Sequence, residues 1–497
     1  MSSQFPALII ITPLMAAFLI AAAGWLNPGH CLPILAAALT VALMAAVGLL
    51  GAVVTGGTVL YRLGGWDPPW GIAYRVDHLN SLVLVVIIVV ALINLATTRA
   101  HVRREFPNRV GPFYTLYALF VTGLLGIVVT GDAFNLYVLL EIAALTGYAL
   151  IGMGHPRAPL ASLNYIFMGT IGASFYLLGI GYLYLVTGSL NMADIAVRLP
   201  GLYGSRVVVT AFIICMTGLF IKMALFPLHG WLPNAYSHAP SAAVAVIAPL
   251  TTKVMIYVMI RIALYVFTPS FVFGHLKIDG LLVWLAVAAI VMGSLMALAQ
   301  TGIKKMLVYI IVAEVGYMVG GFWLGNRPAI TGAILHIIND ALMTLCVFLA
   351  AGAIVYKTGT DAFTGLRGLF HKMPFTMAGL VVGALAIIGV PPTCGFFSKW
   401  YLIRGGLAAG QYPFVGALIF SSLVNVLLFF RLFEVAYYEP STVHVTAGHH
   451  YSGRRDEAPL ELLLPLLATA GLLIVLGLYT GDIVQHIIRL AIPAQVM

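Results

Sequence analysis

Apolar segments long enough to cross a lipid bilayer follow one another along almost the whole of this 497-residue chain. A helix needs about 20 consecutive apolar residues to span the hydrocarbon core. The pattern therefore predicts an all-α polytopic membrane protein with about fourteen spanning helices. Their approximate positions are 5–26, 31–55, 79–97, 112–130, 133–153, 162–187, 206–227, 241–267, 281–300, 304–324, 329–356, 374–403, 412–437 and 458–480.

The composition excludes a soluble protein. Charged residues make up 8% of the chain and hydrophobic residues 62%, whereas a soluble domain has about 25% charged residues. The formal net charge of +9 does not indicate nucleic-acid binding, because the basic residues lie mostly in short loops between apolar runs. The four cysteines are isolated from one another, so the sequence predicts no metal centre, no iron–sulfur cluster and no cofactor site.

The distribution of lysine and arginine predicts the orientation in the membrane. Cytoplasmic loops carry an excess of these residues. Alternate loops and helix ends form two sets, and the richer set contains Arg99, Arg103, Arg104, Arg109, Arg157, Lys304, Lys305, Lys357, Arg367, Lys372, Arg454 and Arg455. We expect this set to lie in the cytoplasm of a prokaryotic cell, with both termini outside the cell membrane. The run 5–26 is interpreted as a first spanning helix and not as a cleaved signal.

Two of the predicted helices contain prolines that should break them. Pro227 and Pro233 interrupt the segment 222–233, and Pro391 and Pro392 interrupt the segment 389–399. Proline removes a backbone donor and clashes with the preceding turn, which lipid does not tolerate unless protein or water satisfies the freed groups. Paired interruptions in two halves of a transporter indicate the ion path.

The two halves also share a faint internal repeat. Thr130-Gly131 precedes a helix ending in Gly147-Tyr148, and Thr301-Gly302 precedes a helix ending in Gly316-Tyr317. The offset is five helices, an odd number, so the repeats should have inverted topology. This predicts N-terminal helices 1–3 in residues 1–111, a first repeat in 112–280, a second repeat in 281–440 and a C-terminal helix 14 in 441–497.

Ionisable residues inside the predicted spans are the candidates for function. An ionisable group in hydrocarbon costs about 2.5–3.5 kcal/mol or more, so six of them would cost on the order of 15 kcal/mol unless they pair or reach water. The six are Glu141, Lys222, Lys253, Glu314, Asp340 and Lys399. Arg261, Arg431 and Glu434 lie nearer helix ends, where a side chain extending to the membrane surface explains them.

Lysine and carboxylate together can relay protons. Burial lowers the pKa of a lysine by up to about 3–5 units, and an approaching carboxylate raises it again, so a pair of variable separation takes up and releases a proton. Histidines can join such sites; His229 and His238 flank the first break, and His336 lies four residues from Asp340 on one helix face. The alternatives are structural ion pairs, local polar packing and lysines that reach the membrane surface.

Several motifs around these residues resemble the proton-translocating antiporter-like family. This family includes the D component of multisubunit Mrp sodium/proton antiporters and the large membrane subunits of respiratory complex I and membrane-bound hydrogenases. The resembling segments are 131–141, 220–222 with 226–233, 239–243, 253–257, 302–307 and 389–400. The resemblance implies fourteen helices with two inverted five-helix repeats. It also implies that Glu141 modulates Lys222, that Lys253 relays protons and that Lys399 faces the exit half-channel.

One motif departs from the family pattern. The family usually has histidine where Asp340 stands and lysine where Thr344 stands. Because Thr344 carries no charge, the link between the central site and Lys399 depends on Asp340 or water. A carboxylate at position 340 also suggests a sodium site, since sodium prefers oxygen ligands.

The sequence therefore predicts a proton-translocating subunit of a multisubunit membrane complex, with sodium as a second candidate ion. An antiporter component like the Mrp D protein is the preferred interpretation. The alternatives are a proton-pumping subunit of a redox-driven complex and a structural scaffold with degenerate proton sites. In each case other membrane subunits are the expected partners, and the chain itself is not expected to carry out redox catalysis.

Overall fold

A computed structural model describes residues 4–154, 157–438 and 456–496. Arg454, Arg455 and the predicted domain boundary at 441 lie outside the described residues. The helices in chain order are α1 Phe5–Leu26, α2 Cys31–Gly56, α3 His78–Glu105, α4 Val110–Val129, α5 Ala133–Gly152, α6 Ala158–Thr187, α7 Met192–Arg198, α8 Arg206–Lys222, α9 Trp231–His238, α10 Ser241–Tyr265, α11 Asp279–Leu298, α12 Ile303–Trp323, α13 Arg327–Thr358, α14 Leu369–Lys372, α15 Pro374–Ile388, α16 Cys394–Ala408, α17 Tyr412–Tyr438, α18 Leu460–Leu478, α19 Thr480–Ile483 and α20 Arg489–Ala491.

The predicted all-α membrane fold is confirmed. In the described part of the chain, twelve helical segments are long and apolar enough to cross a membrane. They correspond to twelve of the predicted spans. The other two, 206–227 and 374–403, are the spans expected to be broken. The count of fourteen crossings, the inverted repeats and the division at residues 111, 280 and 440 remain predictions.

Both spans that were predicted to break are interrupted in the structure. In the first of these spans, α8 ends at Lys222, and α9 begins only at Trp231. In the second span, α15 ends at Ile388 and α16 begins at Cys394. By contrast, Pro249 does not break the long predicted span 241–267, because α10 runs through it without interruption.

A short antiparallel hairpin joins α2 to α3 and was not predicted. Strand β1, Val59–Arg62, pairs with strand β2, Ala73–Val76, with Val59 opposite Val76. Four-residue strands are too short for their alternation to stand out between long apolar runs.

The enclosed centre of the bundle consists of α10, α12 and α13. In its most apolar 18-residue stretch, α13 is 100% buried, and α10 and α12 are each 94% buried. The outer helices instead present apolar side chains to their surroundings, as Phe18 on α1 and Leu185 on α6 do. A helix that is apolar on all sides yet fully enclosed belongs to the core of a membrane protein, so a polar side chain on α10, α12 or α13 is shielded from lipid.

Candidate functional site

The first candidate pair joins α5 to the break after α8. Lys222 Nζ lies 3.4 Å from Glu141 Oε1. Lys222 is buried, while the Glu141 side chain is partly exposed. Two glycines let α6 and α8 approach closely here, because a Cβ on Gly218 would lie 2.5 Å from the Gly172 carbonyl oxygen. The lysine therefore ends α8 inside the protein, and the structure brings together the two residues that the sequence placed in one functional unit.

The second pair lies at the centre of the bundle, between α10 and α13. Lys253 Nζ is 3.0 Å from Asp340 Oδ2, and it also donates a hydrogen bond of 3.2 Å to Thr344 Oγ1. The Thr344 hydroxyl in turn donates to Asp340 Oδ1 at 2.8 Å. Because Asp340 and Thr344 are four residues apart on one face of α13, a single lysine reaches both. Lys253 and Asp340 are essentially inaccessible to solvent.

Glu314 approaches the same aspartate from α12. The buried Glu314 lies close enough to Asp340, Lys253 and Lys399 for their charges to act on it. Among the described residues, neither Glu314 carboxyl oxygen has a hydrogen-bond donor. An ionised carboxylate only accepts hydrogen bonds, whereas a protonated one donates one. A proton shared between Glu314 and Asp340 would therefore satisfy this arrangement.

The third lysine lies at the second break. Lys399 on α16 donates from Nζ to the carbonyl oxygens of Ile387 at 2.6 Å and Ile388 at 3.2 Å. These carbonyls are free because α15 ends there, and a cation at a helix C-terminus is favourable. The same ammonium donates to Ser422 Oγ at 3.0 Å and lies 5.1 Å from the centre of the Tyr317 ring. Lys399 is thus held inside the protein and not at a membrane surface.

The three predicted histidines occupy different environments. His336 is fully buried next to Ser398 Oγ, 2.8 Å from its Nδ1, and its Nε2 has no hydrogen-bond partner among the described residues. His229 is also buried, with Nδ1 unpartnered within the same part of the chain. His238 lies apart from the lysines, beside an open cavity, and its Nδ1 donates to the Asn234 carbonyl at 2.9 Å.

The sequence interpretation was wrong for Arg261. Its side chain does not extend to the membrane surface but is buried, with NH1 and NH2 bonded to the two Asp77 carboxylate oxygens at 2.6 and 2.8 Å. Arg75 Nε lies 3.4 Å from the same carboxylate. Arg431 and Glu434 are exposed near the end of α17, as expected. The missed signal is Asp77 followed three residues later by Asn80, the pattern of a helix cap that fixes a carboxylate at the start of α3.

The described residues contain no group of three or more histidine, cysteine, aspartate or glutamate side chains arranged to hold a metal ion. The four cysteines, Cys31, Cys215, Cys346 and Cys394, are free and buried. The ionisable side chains that the structure brings together at the site are amines, carboxyl groups and imidazoles.

The family of transmembrane proteins described as "NADH:quinone oxidoreductase/Mrp antiporter, TM" matches residues 130–425. This stretch covers more than half of the chain. The chain belongs to this family. The matched stretch contains all nine predicted site residues, from Glu141 to Lys399. The resemblance inferred from the motifs is thereby confirmed.

Individual relatives agree with this assignment. The chain is 42% identical over 504 residues to the N subunit of NADH-quinone oxidoreductase from Desulforudis audaxviator, covering 99% of each chain. It is 32% identical over 432 residues to the D component of the Na(+)/H(+) antiporter from Bacillus subtilis, covering 85% of each. Among solved structures, a chain of the membrane-bound sulfane sulfur reductase, an archaeal respiratory membrane complex, aligns with a TM-score of 0.88 at 28% identity, over 98% of this chain and 96% of that one. A chain of the Mrp complex from Dietzia aligns over the same shares with a TM-score of 0.84 at 25% identity.

These findings establish an antiporter-like, multi-pass membrane subunit. The relatives named above are subunits of Na(+)/H(+) antiporters and of respiratory complexes.

Proposed function

We propose that this chain conducts protons along its line of buried charged groups. The line starts at Glu141 and Lys222, continues through Lys253 and Asp340, and ends at Glu314 and Lys399. The observation that carries this proposal is the central cluster, in which Lys253 and Asp340 form a buried ion pair and the buried Glu314 lies under their charges. Such groups are costly inside a membrane and mark proton relays.

The central cluster also supplies a proton link toward Lys399. Thr344 alone cannot supply this link because its side chain carries no charge. Lys253 Nζ lies 3.0 Å from Asp340 Oδ2, and the charges of Asp340 and Lys399 both act on Glu314. A proton released by Lys253 has a carboxyl pair to receive it, and that pair faces the ammonium of Lys399. Glu314 from the neighbouring helix therefore takes the connecting role, and Thr344 orients Asp340 through its hydroxyl.

We further propose that the richer basic set faces the cytoplasm of a prokaryotic cell and that both termini lie outside. Arg104 and Arg109, on either side of the loop between α3 and α4, support this because they line one cavity with Lys304 of the distant helix α12. The two inverted five-helix repeats belong to the same proposal, supported by the two breaks, each followed by a helix start and each carrying one buried lysine, Lys222 or Lys399.

Two kinds of assembly fit this function. One is a gradient-driven sodium/proton antiporter of Mrp type, as the sequence suggested. The other is a redox-driven complex, favoured by the 42% identity to an NADH-quinone oxidoreductase component over 99% of both chains. Mass spectrometry of the complex purified mildly from native membranes separates them. A redox module such as an NADH-oxidising or hydrogenase module identifies the second, and small membrane subunits alone identify the first.

The proposal is tested at Lys253. The whole complex is reconstituted into vesicles, and proton uptake is followed with a pH-sensitive dye in the wild type and in Lys253→Met. Methionine keeps much of the side-chain volume and removes the proton carrier, so we expect proton transport to fall at least tenfold while assembly is retained. The partly exposed Lys305→Met on α12 is the matched control. An assembled Lys253→Met complex with wild-type transport would leave a scaffold role instead.

A further inference from the structure

A cavity of about 810 Å³ opens where α3 and α13 end and where α10 and α12 begin. At about 30 Å³ per molecule in liquid water, it has room for roughly twenty-five waters. Its wall includes polar and charged side chains from four helices and from the segment after α13. These are Arg104, Glu105, His238, Ser241, Lys304 and Asp361.

Lys304 is the most buried charged side chain of this cluster. The residue is only 8% exposed, and its Nζ donates to Ser241 Oγ at 3.1 Å. The carboxylates of Glu105 and Asp361 act on it electrostatically, but no carboxylate of the described residues lies within ion-pair distance of it. The neighbouring Lys305 is partly exposed, as expected of a lysine that only sets orientation.

Helix stability does not explain the position of Lys304. It is the second residue of α12, and a cation near a helix N-terminus is unfavourable because the backbone N–H groups there carry partial positive charge. A buried lysine at that place, at the wall of an open cavity and without an ion-pair partner in contact among the described residues, is instead suited to exchange protons.

A polar stripe leads inward from the cavity along α3. Glu105, His101, Thr98 and Asn94 are spaced three or four residues apart and so lie on one face. The Glu105 Oε1 atom is 3.5 Å from His101 Nδ1. At the far end of the stripe, Asn94 Nδ2 donates to the Ala242 carbonyl of α10 at 3.0 Å.

His101 also reaches α13. Its Nε2 lies 3.4 Å from the place where a Cβ on Gly352 would be, and the Ser241 Cβ lies 3.7 Å from that same place. Ser241 therefore stands between His101 and Lys304. From Gly352, eight residues of α13 lead to Thr344 in the central cluster, roughly 12 Å at 1.5 Å per residue. Three or four hydrogen-bonded waters span such a distance.

We propose that this cavity is the proton-uptake vestibule of the central cluster and that Lys304 is its first buried proton acceptor. A hydronium ion in the cavity gives its proton to the neutral amine of Lys304 and becomes water. The resulting ammonium returns to the amine when it passes a proton past Ser241 to His101 and on toward Lys253. This inference rests on the proposed proton conduction.

The test compares three variants of the whole complex in vesicles. Lys304→Met and Lys304→Arg should each reduce proton transport at least tenfold without loss of assembly, because arginine keeps the charge but does not release its proton. The control Lys305→Met should transport as the wild type does. Wild-type transport by Lys304→Arg would assign Lys304 a purely electrostatic role and overturn the inference.

Lys253→Met, measured in parallel, distinguishes the two possible failures. If it transports normally, proton conduction through this chain is refuted. If it is inactive while Lys304→Met is active, only the vestibule is refuted. A second readout does not need transport at all: Lys304→Cys should react with a charged, membrane-impermeant thiol reagent from the face that bears Arg104 and Arg109. The four native cysteines are buried, so reaction from the opposite face alone would contradict the vestibule.

Discussion

Replacing Asp77 by alanine should destabilise the protein more than replacing its partner Arg261 by methionine. Both groups are buried and form two charge-assisted hydrogen bonds. Removing one member of a buried ion pair costs about 3–5 kcal/mol because the other charge is left uncompensated. Without Asp77, both Arg261 and Arg75 lose their partner. Without Arg261, Arg75 at 3.4 Å still compensates the aspartate, so we expect a smaller loss of roughly 1–3 kcal/mol.

Asp77 also caps α3 by accepting from the Leu79 N–H, which adds about 1 kcal/mol to the cost of the alanine variant. Asp77→Asn keeps an acceptor for the cap and removes the charge, and so separates the two contributions. Thermal unfolding of the purified complex can be followed with a fluorogenic thiol dye, because all four cysteines of this chain are buried. Equal losses for Asp77→Ala and Arg261→Met would refute the argument from Arg75.

The same pair predicts a pH dependence with a definite sign. Burial raises the pKa of Asp77, but Arg261 and Arg75 outweigh it and hold that pKa below its usual value. A carboxyl with a depressed pKa stabilises the fold fully above its unfolded value, near 3.9, and loses this effect as the pH falls through the folded value. The stability difference between wild type and Asp77→Ala should therefore stay constant from pH 7 to pH 5 and shrink only in stronger acid.

Three further predictions concern the proton line. Glu314→Gln should slow proton transport at least tenfold in the assembled complex, since an amide cannot share a proton with Asp340; Glu434→Gln, at an exposed site, is the control in the same dye assay. Asp340→Asn should abolish sodium-dependent transport if sodium binds there, and unchanged sodium and proton fluxes would refute that site. Gly389→Ala should lower the midpoint of thermal unfolding and reduce transport. The reasons are that Gly389 has φ +91° and that a Cβ there would lie 3.1 Å from Lys399 Cδ. A variant with the wild-type midpoint and wild-type transport would exclude strain at this break.

Much of the fold could be predicted because the bilayer imposes a simple rule on sequence. An apolar run of the right length is a helix, so the bounds of α1 and α17 were predicted to within a residue. Prolines at 227 and 391–392 also predicted both breaks. Pro249 would predict a break by the same rule, but it lies in a continuous helix. The packing of α10 against its neighbours compensates for the one hydrogen bond that the proline removes.

Which site residues contact one another was harder to predict than which residues belong to the site. Sequence spacing relates residues on one helix, as for Asp340 and Thr344, but says nothing about contacts between helices that are far apart in the chain. The pairing of Lys253 with Asp340 joins residues 87 positions apart, and that of Arg261 with Asp77 spans 184. Lys304 was counted among the basic residues of loops and helix ends for the same reason, since its burial depends on the ends of other helices.

Thr344, where the family usually has lysine, does not interrupt the proposed proton line, because the charges around it are arranged differently from the family pattern. A lysine there would add a third cation next to Lys253 and Lys399, whereas Thr344 contributes only a hydroxyl that binds both Lys253 and Asp340. The acidic side chains Asp340 and Glu314 then balance the two remaining lysines. With both carboxyls ionised the cluster is neutral, and with one proton shared between them it carries one positive charge. Under the proposed function, these are the two states of the relay, and they differ by a single proton.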